Sequence, residues 1–306
     1  MSPKLLLGAH MPISGGLAKA VERIQSVGGT ALQIFTRNQR QWAEPELEDK
    51  AVRDFLDAWK SWGPYPVAVH DSYLPNLASP DQTLRERSIR HTAAEIKRAA
   101  RLRVPWIVTH PGAFKEGGRD EGIRRYASGL DAALDETEDD SVMMLLENTA
   151  GAGTILGGDF EELAGIVENS RHQDRIGVCL DSCHALAAGY GLEDAEALDR
   201  TLKALDLAVG LDRLKLLHLN DSKHPRESNR DRHEHIGEGA IGLAGFQAVM
   251  AHPSLRALPM VIETPKGKGK NLLAEDKKNL QLLRKLWEKG KGRPEGEFRT
   301  AKKGGA

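Results

Sequence analysis

The chain has 306 residues, 40% of them hydrophobic, with 43 basic and 44 acidic residues and a formal net charge of −1. That length and apolar content support one large core, and the charge balance excludes a protein drawn to nucleic acid by overall charge. Two cysteines, Cys179 and Cys183, are too few for a disulfide framework. No apolar run reaches the ~18 residues of a membrane span, and the N-terminus lacks a secretory pattern. A reducing, cytoplasmic setting without membrane contact is therefore expected.

In chain order, short apolar runs alternate with helical patterns. The expected strands are 5–9, 31–35, 66–69, 106–109, 142–146, 176–180, 214–217 and 260–262. Each is nearly continuously apolar, as a parallel strand covered on both faces must be. Helical periodicity covers 17–27, 46–62, 81–102, 120–138, 159–168, 194–209, 243–250 and 272–289. Ser79-Pro80-Asp81 opens the third of these with a cap and a proline. Strand followed by helix eight times over predicts an α/β fold, a (β/α)8 TIM barrel. A doubly wound open sheet is the alternative, but no Gly-x-Gly-x-x-Gly follows the first strand. One domain over residues 1–289 is expected. Residues 290–306, rich in Gly, Lys and Arg, read as a flexible basic tail.

In such a barrel the chemistry sits at the C-terminal strand ends. The first strand ends at His10 and the third at His70-Asp71. The next end at His110, Glu147-Asn148, Asp181 with His184 three residues on, His218 and Glu263. After His218 comes a polar loop carrying His224, Asp231, His233 and His235. A lone His or Glu at a strand end is usually a hydrogen-bonded loop residue. Six consecutive strands ending this way converge on one rim, where unneutralised carboxylates would repel. Bound divalent ions resolve that, and mixed N/O donors suit zinc or manganese. Nine donors (His70, His110, Glu147, Asp181, His184, His218, Asp231, His233 and Glu263) exceed what one ion takes and point to two or three. Clusters of that kind serve in-line displacement at phosphorus.

Several motifs recur in one order: Gly8-Ala9-His10, Phe35 to Trp42 (FTRNQRQW), His70-Asp71-Ser72-Tyr73-Leu74, His110-Pro111-Gly112, Glu147-Asn148-Thr149-Ala150-Gly151, Leu180-Asp181-Ser182-Cys183-His184, His218 to Lys223 (HLNDSK), Asp231-Arg232-His233, Gly237-Glu238-Gly239 and Glu263-Thr264. This set resembles the endonuclease IV family of zinc-dependent apurinic/apyrimidinic (AP) endonucleases, over nearly the whole barrel. The resemblance implies three Zn2+ ions, with Mn2+ an alternative at some sites. One would be held by His70, His110 and Glu147. A second would share Glu147 and add Asp181, His218 and Glu263. The third would use His184, Asp231 and His233. Glu147 and Glu263 would serve the catalytic step, with hydroxide activated by metal hydrolysing the phosphodiester 5′ to an abasic site. Products would be a 3′-hydroxyl and a 5′-deoxyribose phosphate, with 3′-end cleaning at the same site. Arg40, Tyr73 and Leu74 match the residues that penetrate double-stranded DNA at the lesion. A monomer is expected, although nothing in the sequence fixes the oligomeric state.

Two other readings compete. A sugar isomerase or epimerase of the xylose isomerase type shares barrel and donor types but needs one or two ions. A DNA-damage binder without catalysis would lack ligands, and none is missing.

Overall fold

The computed structural model describes residues 4–137 and 140–290. Eight parallel strands form a closed barrel. They are β1 Leu7–His10, β2 Ala31–Ile34, β3 Val67–His70, β4 Trp106–Thr109, β5 Met143–Glu147, β6 Ile176–Asp181, β7 Leu214–His218 and β8 Met260–Ile262. Each pairs with its neighbours in sequence, and β8 returns to β1. The helices are α1 Leu17–Ser26, α2 Asp49–Trp62, α3 Gln82–Arg101, α4 Arg119–Asp135, α5 Phe160–Asn169, α6 Ser182–Ala187, α7 Ala195–Ala208, α8 Gly242–Ala251 and α9 Ala274–Gly290. The (β/α)8 barrel expected from the apolar runs is thus the fold, with strand bounds within two residues of those read from sequence. Among the described residues, no helix is long and apolar enough to cross a membrane.

Helix starts follow their caps. The carboxylates of Asp81, Asp159 and Asp194 accept backbone N–H groups at the openings of α3, α5 and α7. At α5, Glu162 completes a reciprocal capping box. Two features were not anticipated. One is the short α6 immediately after β6. The other is an antiparallel pair in the loop after β7, with Asp221–Ser222 against His233–Glu234. Gly290, taken as the first residue of the tail, closes α9; residues 291–306 lie outside the described residues.

Strand alternation then sorts the side chains. Leu32, Ile34, Val67, Val69, Ile107, Leu146, Val178, Leu217 and Ile262 join the large apolar core shared with the helices. The alternate positions Ala31, Ala68, Val108, Leu145, Cys179, Leu216 and Val261 form a separate buried cluster, the filling of the barrel. One step of two residues further along each strand stand Gln33, His70, His110, Glu147, Asp181, His218 and Glu263. On β1 the same step leads from Gly8 to His10. A Cβ on Gly8 would run into the Ala31 carbonyl, so only glycine lets β1 and β2 close together here. Gly8→Ala is expected to cost on the order of 3 kcal/mol. Thermal unfolding checks this; an unchanged midpoint would show that the strands can part without penalty.

Candidate active site and metal centre

The barrel filling ends in a polar layer because each inward position at the strand tips is His, Asp or Glu, apart from Gln33. Around this layer two local devices bring in the remaining donors. Asp181 is the N-cap of α6, and its Oδ1 accepts the His184 N–H at 2.8 Å. The spacing Asp-x-x-His therefore places a cap and a third-position side chain on the same side of one helix turn. The Asp221–Ser222/His233–Glu234 pair folds the loop after β7 back over the barrel mouth. Asp221 fixes that return: its carboxylate accepts the backbone N–H groups of Gly237, Gly239, Ile241 and Gly242. The hairpin delivers His233, and Asp231 beside it, to His184.

Hydrogen-bond partners determine which nitrogen of each imidazole carries its proton. His70 Nδ1 donates to the Asp71 carbonyl (2.6 Å), His184 Nδ1 to the Asn148 carbonyl (3.0 Å) and His233 Nδ1 to the Glu263 carbonyl (3.2 Å). His218 Nε2 donates to Gln33 Oε1 (2.8 Å), an amide oriented by its own donation to Glu263. In each ring the second nitrogen then turns a lone pair toward a carboxylate oxygen. His70 Nε2 lies 3.2 Å from Glu147 Oε2, and His184 Nε2 lies 3.2 Å from Asp231 Oδ1. His233 Nε2 lies 3.4 Å from Asp231 Oδ1. His218 Nδ1 faces Glu147 at 3.0 Å, Glu263 at 3.4 Å and Asp181 at 3.8 Å. His110 Nε2 adds a fifth ring, 3.0 Å from Glu147 Oε2.

Lone pairs facing anionic oxygens demand a positive species between them. A second proton on the ring is one answer. Burial opposes charging of His184, yet Asp181 and the bonds to Asp231 and Glu147 hold its pKa well above the ordinary histidine value. Burial would likewise raise the Glu147 carboxyl, but the imidazoles of His218 and His110 hold it well below the usual carboxylate range. A divalent ion is the other answer, and the donors fit it. His70, His110 and Glu147 bring ligand atoms within 4.8 Å of one another, as do Glu147, Asp181, His218 and Glu263, and as do His184, Asp231 and His233.

All nine candidate donors thus meet at one rim. Glu147 is fully buried at its centre, within 3.3 Å of four imidazole rings. Exposed Tyr73 lies with its ring against those of Phe35, His70 and His110, at centroid distances of 6.1, 5.5 and 5.5 Å. Leu74 is half-buried beside it, and Arg40 is exposed on the loop after β2. His235 turns away from the donors: its Nδ1 meets the Asn279 amide, which also bonds Thr264.

Gln33, Asn148, Ser182 and Asn220 form a shell around the donors that strand-end reasoning did not single out. Asn220 Nδ2 donates to Asp181 Oδ2 (2.6 Å) while its Oδ1 accepts the Glu263 N–H (2.7 Å). Asn148 exchanges two bonds with the Asp181 backbone. Ser182 Oγ donates to the Asn220 carbonyl at 2.7 Å and accepts its N–H at 2.9 Å. The available signal was a single amide within an otherwise apolar run, Gln33, two residues after the inward Ala31.

A closed barrel whose rim gathers imidazoles and carboxylates defines a metal-dependent TIM-barrel enzyme. The family model described as a xylose isomerase-like TIM barrel matches residues 21–286. A protein of Chloroflexus aggregans named "Probable endonuclease 4" is 47% identical over 91% of this chain and 96% of its own length. A namesake in Oleidesulfovibrio alaskensis is 49% identical over 92% and 95%. The crystal structure of endonuclease IV from Thermus thermophilus superposes with a TM-score of 0.81 at 36% identity, covering 92% of this chain and 99% of that one. A D-psicose 3-epimerase from Clostridium cellulolyticum shares the fold alone, at 17% identity and a TM-score of 0.68. The chain belongs to the endonuclease IV family, and with it to the AP endonucleases, hydrolases of DNA repair.

Asn220 holds two donors with one amide, so Asn220→Ala should weaken metal retention by roughly 10- to 100-fold. Competition against a chelator of known affinity measures this. Retention equal to the parent protein would mean that Asp181 and Glu263 are oriented without it.

Proposed function

We propose that this chain hydrolyses the phosphodiester 5′ to an abasic site in double-stranded DNA, leaving a 3′-hydroxyl and a 5′-deoxyribose phosphate. The same centre would clear blocked 3′ ends. The observation that carries the reading is the set of imidazole nitrogens that face Glu147, Glu263, Asp181 and Asp231 within 3.8 Å. A proton on each ring would leave the centre inert, whereas cations make it a phosphodiesterase centre. The family relationship supplies the substrate class.

In this reading the centre takes three Zn2+ ions, with Mn2+ able to replace some of them. His70, His110 and Glu147 would hold the first. Glu147, Asp181, His218 and Glu263 would hold the second, and His184, Asp231 and His233 the third. Bound there, the ions would supply a nucleophile at neutral pH and neutralise the charge that builds on the phosphate oxygens. Glu147 presents both oxygens, Oε2 toward His70 and His110 and Oε1 toward His218 and His184, which suits a carboxylate shared by two ions. Glu263 keeps Oε2 toward His218 while the Gln33 amide holds Oε1 at 2.6 Å, so the carboxylate is aimed before substrate arrives.

DNA handling falls to the loops on the same rim. Tyr73 is 60% exposed although its ring touches those of His70 and His110. Apolar surface standing in water beside a buried polar centre suits a wedge that fills the gap left by an extruded abasic nucleotide. Leu74 would extend the wedge, and Arg40 would enter from the neighbouring loop. With a near-neutral chain, phosphate contacts come from local basic loops, so binding should weaken with salt. We place the enzyme in the cytoplasm, as a monomer.

Incubation with a duplex carrying one defined abasic residue tests the reaction. Cleavage 5′ to the lesion should vanish with chelator and return with added zinc. Glu147→Gln should lose more than the roughly 100-fold that a change around the ligands produces, together with bound metal. Full cleavage and full metal content in that variant would remove Glu147 from the centre.

A further inference from the structure

Helix α3 carries polar residues on the face it buries. Ser88, His91 and Glu95 are buried, and with Arg98 they recur at three- and four-residue spacing, the period of one helix stripe. Apolar side chains there would stabilise the fold at least as well, since buried ion pairs seldom outdo hydrophobic packing. Each of these groups is directed at a loop of the barrel rim.

The loop after β2 is held first. Thr36 donates its hydroxyl to Glu95, and the Arg37 guanidinium pairs with the other Glu95 oxygen at 2.9 Å. Arg98 Nε donates to Thr36 Oγ1 at 2.9 Å, and its terminal nitrogens donate to the Thr36 and Pro45 carbonyls at 2.9 and 2.8 Å. Arg37 also donates to the His91 carbonyl at 3.1 Å. The loop after β3 is fastened to the same helix. His91 Nε2 lies 3.3 Å from both Asp71 Oδ1 and Ser72 Oγ, and Ser72 Oγ accepts the Leu74 N–H. Ser88 Oγ accepts the Asn76 N–H at 2.8 Å. Trp42, from the first loop, packs edge-to-face on the His91 ring at 5.4 Å.

Asp71, His91 and Glu95 also lie close enough to share a metal ion. Charge argues against that. Arg37 is already seated on Glu95, Asp71 faces His91, and the Arg98 guanidinium stands one side chain away on Thr36. A divalent ion added there would face a buried guanidinium.

We propose that Glu95, with His91 and Arg98, is a positioning element that locks the Arg40 loop and the Tyr73–Leu74 loop into one fixed relation for entry into the duplex. The inference rests on the reading that those loops contact DNA. It predicts that loosening the anchor impairs substrate binding and leaves the metal centre intact.

Steady-state kinetics on an abasic duplex, with metal content measured on the same samples, test this for Glu95→Gln and Thr36→Val. Arg40→Ala serves as the reference. Both anchor variants should keep parental metal content and a kcat within about twofold, while KM rises about tenfold or more. Thr36→Val decides the matter if Glu95→Gln does not fold. A raised KM in Arg40→Ala with an unchanged KM in the anchor variants would overturn the anchor alone. An unchanged KM in Arg40→Ala as well would overturn the loop reading beneath it. Metal content and kcat falling together would assign the cluster to the metal centre and also overturn the proposal.

Discussion

The mouth of this barrel depends on one constraint: five imidazoles turn nitrogen atoms toward carboxylates that cannot donate to them. In four of those rings the other nitrogen already donates elsewhere, to the carbonyls of Asp71, Asn148 and Glu263 and to the Gln33 amide oxygen. The arrangement is unfavourable until something positive sits among the rings and carboxylates. Protons satisfy it one ring at a time, whereas divalent ions satisfy several donors at once and bring hydrolytic chemistry with them. The surrounding architecture serves to keep the lone pairs aimed. Asn220 ties Asp181 to Glu263, Asn148 ties β5 to β6, and Asp221 gathers the loop that returns His233.

Much of this was legible in the chain because strand periodicity is rigid. Once Ala68, Val108, Leu145, Cys179, Leu216 and Val261 fill the barrel, the residues two further on must occupy the next layer of the same interior. Those are His70, His110, Glu147, Asp181, His218 and Glu263. Their residue types then dictate the chemistry. His184 was legible only by its place three residues past Asp181; the short helix that Asp181 caps, and that turns His184 to the same side, was not.

The rest was hidden because it depends on pairings distant in sequence. Nothing local in 221–234 announces that Ser222 will stand opposite His233. The amide of Gln33 bonds Glu263, 230 residues away, and no periodicity carries that distance. On α3, Ser88, His91, Glu95 and Arg98 fall at core spacing, yet the loops they hold come from two other strands. His235 lies two residues from His233, but the short strand ends at Glu234, and beyond it the chain turns His235 toward Asn279 of α9.

The centre and the loops above it have different mechanical origins. The donors sit on strand tips, one helix turn and a hairpin, held by a packed barrel. Arg40, Tyr73 and Leu74 sit on loops whose geometry comes from α3. If those loops read the lesion as proposed, chemistry and lesion recognition would fail separately. The claim on which both depend is that the rim is a multinuclear metal centre. Its most direct test is the number of divalent ions per folded chain, counted by plasma mass spectrometry on the wild-type protein and on Asp231→Ala. Three ions per chain, falling to two in the variant, is the predicted result. A wild-type count of one or none would contradict the account.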